Sequence, residues 1–175
     1  IPLKFGICMH SDAIKTGPDH AATRAMLRGT GRTPQDIRKP LIAVVHSWTD
    51  VSPCNINLRD LAQEVKKGVT EAGGTPIEFN TIAITDGIAM GSPGMRASLA
   101  SREVITDSTE LAVRGHCLDG VVVLCGCDKT IPAAAMALAR FWCWDFSELV
   151  TTIPVGRWVM RTAESVVLTC CPPAP

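Results

Sequence analysis

Three short stretches of this chain place chemically able side chains just past apolar runs. The first is Ser47-Trp48-Thr49-Asp50-Val51-Ser52-Pro53-Cys54-Asn55, the second Thr85-Asp86-Gly87-Ile88-Ala89-Met90-Gly91, and the third Gly126-Cys127-Asp128-Lys129. Cys54 and Cys127 offer soft ligands suited to iron or zinc, whereas Asp86 and Asp128 offer hard oxygens suited to magnesium. The third stretch is the densest. A thiol, a carboxylate and an amine stand side by side where a β-branched run passes into an alanine-rich helix. In open α/β sheets ligand sites gather at the carboxyl ends of strands, and helix N-termini favour negative charge. Each residue also has a plainer role: Cys54 as core packing, Asp86-Gly87 as a turn, Asp128 as a helix cap, Lys129 as a solvated side chain. The joint arrangement of three loops converging on one cleft is what points to metal chemistry.

The elements that must carry these loops alternate between strand-like and helix-like patterns, which predicts an α/β fold with a mostly parallel sheet flanked by helices. Leu41–His46 reads as a buried strand. Residues 57–72 read as an amphipathic helix with Leu58, Leu61, Ala62, Val65 and Val69 at helical spacing, capped by Asn57 and stopped by Gly73-Gly74. Residues 77–85 form a second strand candidate. Residues 98–113 fit a helix with Val104, Ile105, Ser108, Leu111 and Ala112 on one face. Gly120 introduces a third strand, 121–125, and Pro132 suits the first turn of a closing helix that runs to about Arg140. An earlier helix is expected over 19–27.

Composition narrows the classes. With 175 residues, 17 basic and 17 acidic side chains and 46% hydrophobic content, the chain reads as one ordinary globular domain. No basic stripe argues for nucleic acid, and no apolar run approaches the roughly 20 residues a membrane helix needs. The eight cysteines include no C-x-x-C, and Cys125-Gly126-Cys127 is too closely spaced for a zinc knuckle. A cytosolic-type enzyme with a few functional thiols is the better reading. The opening Ile1-Pro2-Leu3 is read as the start of an incomplete gene product. After Arg140 the composition changes, with three of the four Trp and three of the eight Cys in 141–175. The expectation is a partial domain over 1–140 and a divergent, irregular tail over 141–175 from a frameshifted or misjoined coding stretch.

Ordered segments carry a family resemblance: SDAIKTGPDHAATRAMLRGTG, SWTDVSPCNINLRDLA, EFNTIAITDGIAMGSPGMRASLASREVITDS and GCDKTIPAAAMALAR. Together, over about 11–140, they resemble the N-terminal region of the dihydroxy-acid dehydratases, whose family also includes phosphogluconate and sugar-acid dehydratases. The resemblance implies dehydration of a small-molecule 2,3-dihydroxy acid to a 2-oxo acid, in valine and isoleucine synthesis. It implies an iron–sulfur cluster, [2Fe–2S] in preference to [4Fe–4S], and Mg2+. On this chain Cys54 and Cys127 match cluster ligands, Asp86 and Asp128 match magnesium ligands, and Lys129 matches a lysine that is carbamylated and then binds magnesium. To react with carbon dioxide Lys129 must be neutral, and a nearby cationic metal and a helix N-terminus are expected to lower its pKa.

The departures set the limits of the resemblance. The third cluster cysteine lies downstream of the match, and Cys143, Cys170 and Cys171 are not in its context. The third acidic magnesium ligand and the proton-abstracting serine belong to a C-terminal domain, so no catalytic residue is assigned here. Ala133 stands where the family usually has glycine. The expectation is half an active site, inactive alone, from a family that is homodimeric and acts in bacterial cytoplasm or in eukaryotic organelles. Its competitors are a sugar-acid or phosphogluconate dehydratase, a non-catalytic module kept for binding or dimerisation, and a structural zinc protein.

Overall fold

A computed structural model of the protein describes residues 9–142 and the backbone of one further strand. The chain begins with α1 (Asp12–Lys15), a 3-10 turn (Pro18–His20), α2 (Ala21–Gly29) and α3 (Pro34–Arg38). It continues through β1 (Leu41–His46), α4 (Leu58–Glu71), β2 (Thr75–Asn80), α5 (Asp86–Ala89), α6 (Met95–Gly115), β3 (Gly120–Cys125) and α7 (Thr130–Trp142). β4 (Val166–Cys170) closes the sheet, whose order is β2-β1-β3-β4. β1 pairs in parallel with both β2 and β3, while β4 runs antiparallel to β3. The rest of the expected tail, 143–165 and 171–175, lies outside the described residues.

β1 is apolar from Leu41 to Val45 because it is central and covered on both faces. Leu41, Ala43 and Val45 point to a core shared with Val113 of α6 and Ala134, Ala137 and Phe141 of α7. Val44 points to the other side, against Leu58 and Ala62 of α4. The result is a three-layer arrangement, with α4 on one face of the sheet and α6 and α7 on the opposite face. Asp119 ties its amino edge together. Its carboxylate accepts from Ser11 N (2.8 Å), Ser11 Oγ (2.5 Å) and Leu41 N (2.7 Å).

Several expected elements need correction. Asn57 makes no side-chain cap; the amides of Leu58 and Leu61 instead meet the carbonyls of Asn55 and Asn57. The glycine stop holds, with Gly73 at φ 91° and Gly74 N bonded to Val69 O at 2.9 Å. β2 begins and ends earlier than expected. Thr81 N makes the last bond to β1, at His46 O, after which the extended chain has no ladder partner. α6 begins at Met95 and buries a different stripe: Ser98, Ser101, Ile105, Thr106, Thr109 and Val113, leaving Val104 and Leu111 exposed. Thr106 Oγ1 donates to its own helix at Arg102 O and to Ala133 O of α7, so small polar groups line this helix contact. Ala133 itself is fully buried in α7 and has no positive φ, so alanine fits there without strain.

Candidate metal centre

The three donor-bearing loops follow the carboxyl ends of β1, β2 and β3, which lie side by side in the sheet. Parallel strands bring their carboxyl ends to one edge, and that edge is where α/β proteins bind ligands.

The β1 loop is held by a buried asparagine that sequence reasoning passed over. Asn55 is fully buried; its Nδ2 donates to Ser47 O (3.0 Å) and Ser47 Oγ (2.8 Å), and its Oδ1 accepts from Ser52 Oγ (3.0 Å). These bonds close the loop around Cys54. A second brace comes from His46, 5% exposed, whose Nε2 contacts Glu78 Oε1 at 3.1 Å and whose Nδ1 accepts from Trp48 N at 3.3 Å. Accepting at Nδ1 places the proton on Nε2, facing the carboxylate. Lys66 Nζ holds the other oxygen of Glu78 at 2.6 Å. Partial burial pushes the Glu78 carboxyl up, but the bonds from Lys66 and His46 outweigh it and leave it below the usual range. Nothing in the apolar pattern marks His46 or Glu78 as partners, because each sits inside a strand read for its hydrophobic neighbours.

The β2 loop is tied to α6 by Thr81 Oγ1 and Ser108 Oγ at 2.7 Å. Asp86 then opens α5. One of its oxygens accepts from Ser98 Oγ of α6, and the other from Lys129 Nζ at 2.8 Å. The β3 loop is braced from below by Thr130, whose hydroxyl accepts from Gly126 N (3.2 Å) and Cys127 N (2.9 Å). The Asp128 carboxylate receives Lys129 Nζ at 2.6 Å.

All five residues assigned from the sequence lie on this edge. Lys129 bridges Asp86 and Asp128 and is not solvated: its side chain is 19% exposed. The Lys129 ammonium is held above the ordinary lysine range by Asp128 first and Asp86 second. Asp86 is correspondingly lowered, by Lys129 first and Ser98 next. Cys54 lies near enough to Cys127 to act on its thiol. Burial pushes the Cys127 thiol up, against the Asp128 amide that pulls it down, and Cys54 adds to the rise. Cys125, buried in the sheet core, is pushed up to about 12 and is an inert packing residue.

The donor chemistry fits soft and hard metals in separate halves. Two thiols adjoin for a soft centre, and two carboxylates share one cation, the Lys129 ammonium, where a hard ion would find oxygen ligands. Among the described residues no three His, Cys, Asp or Glu side chains gather to hold an ion, so neither half is a complete ligand shell and a structural zinc site finds no ligand set there.

Fold and loops together define the class: an α/β domain with ligand-type side chains on loops at the carboxyl edge of a parallel sheet. Residues 39–148 match the family described as dihydroxy-acid/6-phosphogluconate dehydratase N-terminal. The chain belongs to this family of hydro-lyases. It is 60% identical over 130 residues to a dihydroxy-acid dehydratase of Koribacter versatilis (strain Ellin345), covering 74% of this chain and 23% of that protein. It is 51% identical over 153 residues to a dihydroxy-acid dehydratase of Thermus thermophilus, covering 87% and 28%. With a Methanosarcina barkeri dihydroxy-acid dehydratase it shares 50% over 144 residues, covering 82% and 26%. The chain thus spans about a quarter of the length of these curated relatives.

Proposed function

We propose that this chain supplies the N-terminal part of a dehydratase active site for 2,3-dihydroxy acids, and that it does not complete turnover alone. The observation that carries the reading is the pairing at one sheet edge of Cys54 with Cys127 and of Asp86 and Asp128 with Lys129. In this reading Cys54 and Cys127 hold an iron–sulfur cluster, of the [2Fe–2S] type, and Asp86, Asp128 and carbamylated Lys129 hold Mg2+. When bound, the two groups supply Lewis acidity for the departing hydroxyl and orientation of the acid's carboxylate. The chain's own task is placement. Asn55 and Thr130 fix the two thiol loops from beneath, and Ser98 holds Asp86. Lys129 becomes a ligand by losing a proton, adding carbon dioxide through its nitrogen, and releasing the carbamic acid proton.

Exposed Val51, Ile56, Ile88 and Met90 on the same loops support a further protein surface closing over this edge. We assign that surface to the remaining length of the dehydratase, which forms a homodimer. The test is anaerobic reconstitution of the 175-residue chain with iron and sulfide, followed by iron analysis and visible absorption. Cluster absorption that disappears in Cys54→Ala and in Cys127→Ala supports the assignment; equal absorption in both variants refutes it. Assays with 2,3-dihydroxyisovalerate and 6-phosphogluconate are expected to show no turnover, and turnover of either refutes the incomplete site.

A further inference from the structure

On the far side of the sheet from the donor loops, α1, α2 and α3 enclose an open cleft of about 610 Å3. Its charged lining is lopsided: Lys15, Arg24, Arg28 and Arg38 against Asp12 alone, in a chain whose basic and acidic residues balance at 17 each. The inner cations are occupied by neutral acceptors. Lys15 Nζ donates to Lys39 O at 2.7 Å, and Arg24 Nη1 to Lys15 O at 3.0 Å and Gly17 O at 2.6 Å. Asp12 spends its oxygens locally, on Met9 N at 3.1 Å and Thr16 Oγ1 at 3.2 Å. Arg28 on α2 and Arg38 on α3 are exposed and have no hydrogen bond or ion pair among the described residues.

Packing gives a second, independent indication. No residue of α2 is buried, although the helix carries Met26 and Leu27. It is held by the Arg24 bonds and by light contact with α1, the 3-10 turn and α3. A ligand seated between α2 and α3 would supply the missing wall and neutralise both free guanidinium groups, which bind oxyanions bidentately. The cleft volume falls within the range of small-molecule sites.

We propose that the α2–α3 cleft binds a small, multiply charged anion, a phosphate or polycarboxylate, gripped by Arg28 and Arg38. The proposal is independent of the dehydratase reading. It is tested by titrating the full 175-residue chain with pyrophosphate and, separately, citrate in calorimetry at fixed low ionic strength, alongside amide exchange of α2. One-to-one binding is expected, with α2 amides protected at saturation. Arg28→Gln combined with Arg38→Gln is expected to weaken binding by more than about tenfold, the loss of two charge-assisted contacts. Lys67→Gln, on exposed α4, is expected to leave it unchanged. A preference for pyrophosphate or for citrate supports the site and names its chemistry. Absence of binding by both anions, equal affinity in the double variant, or unaltered exchange of α2 overturns it. Circular dichroism of the double variant verifies that it is folded; should it be unfolded, Arg38→Lys, which keeps the charge and loses the fork, is expected to show the same weakening, and unchanged affinity there overturns the proposal.

Discussion

Asp119→Ala should remove a substantial share of the stability of this fold while sparing the donor loops. Asp119 lies just ahead of β3, 7% exposed, and its two oxygens take three hydrogen bonds. Two of the donors are backbone amides, of Ser11 and Leu41, in residues that are 0% and 1% exposed. Alanine leaves both amides without an acceptor, and each such orphan costs about 1–3 kcal/mol. The Ser11 hydroxyl can turn to another acceptor and adds less. The sum is about 3–5 kcal/mol, against a typical total of about 5–15 kcal/mol for a domain. Ser11→Ala removes only the hydroxyl bond and should cost about 1 kcal/mol.

Urea denaturation followed by far-ultraviolet circular dichroism reads the difference. With a slope of about 2 kcal/mol per molar urea, Asp119→Ala should lower the midpoint by about 2 M and Ser11→Ala by about 0.5 M. Because Asp119 is at the amino edge of the sheet and Cys54 and Cys127 at the carboxyl edge, alkylation of those thiols in the folded fraction should be unchanged. A midpoint for Asp119→Ala equal to that of Ser11→Ala would refute the reasoning, since the two buried amides would then have found other partners.

Cys117 occupies the left-handed region at φ 48°, at the end of α6, where its amide and that of Leu118 close the helix onto Arg114 O and Val113 O. Cys117→Gly should gain about 0.5–1 kcal/mol and raise the melting temperature by about 2–4 °C in calorimetry; a fall would refute the strain. His46→Phe removes the acceptor for Trp48 N and the partner of Glu78, so alkylation of Cys54, mapped by mass spectrometry, should accelerate several-fold; an unchanged rate means that Asn55 alone holds the loop. Asp36 is depressed to about 2 by the Thr33 side-chain bond first and by Lys39 next. A depressed carboxyl stabilises the fold above its ordinary value of 3.8 and loses that contribution as the pH falls toward 2. Amide exchange of α3 should therefore rise between those limits, and Asp36→Asn should abolish the pH dependence. With magnesium and 13C-labelled bicarbonate, a carbamate carbon signal should appear in the native protein and be missing from Lys129→Arg; its presence in both places the modification elsewhere.

Legibility in the sequence followed the physics of each element. β1, β3 and the buried face of α4 were readable because their burial is apolar and periodic. The Gly73-Gly74 stop was readable because only backbone geometry decides it. The buried stripe of α6 was not, since Ser98, Ser101, Thr106 and Thr109 are small polar residues that hydrophobic patterning scores as surface. The end of β2 was missed because it depends on where β1 turns away, a property of another segment. At the site, the donors were legible as residue types on three loops. Their anchors Asn55, Thr130, His46 and Ser98 were not, because each acts through a bond to backbone or to a residue distant in sequence.

Those anchors bear on how the edge works. Asn55 and Thr130 position the loops of Cys54 and Cys127 without using either thiol, so the soft pair is set by buried hydrogen bonds to neighbouring loop groups. The hard half is built differently, because Asp86, Asp128 and Lys129 hold one another. With Lys129 as an ammonium the trio sums to one negative charge, and the raised Lys129 pKa and lowered Asp86 pKa both reflect that mutual stabilisation. Converting the amine to a carbamate would change the sum to three negative charges at the same point. Like charges this close strongly disfavour ionisation unless a cation joins them. In the proposed reading, carbamylation and divalent-cation binding would therefore be one linked equilibrium at this edge, because the ammonium that pairs Asp86 and Asp128 must give way to both.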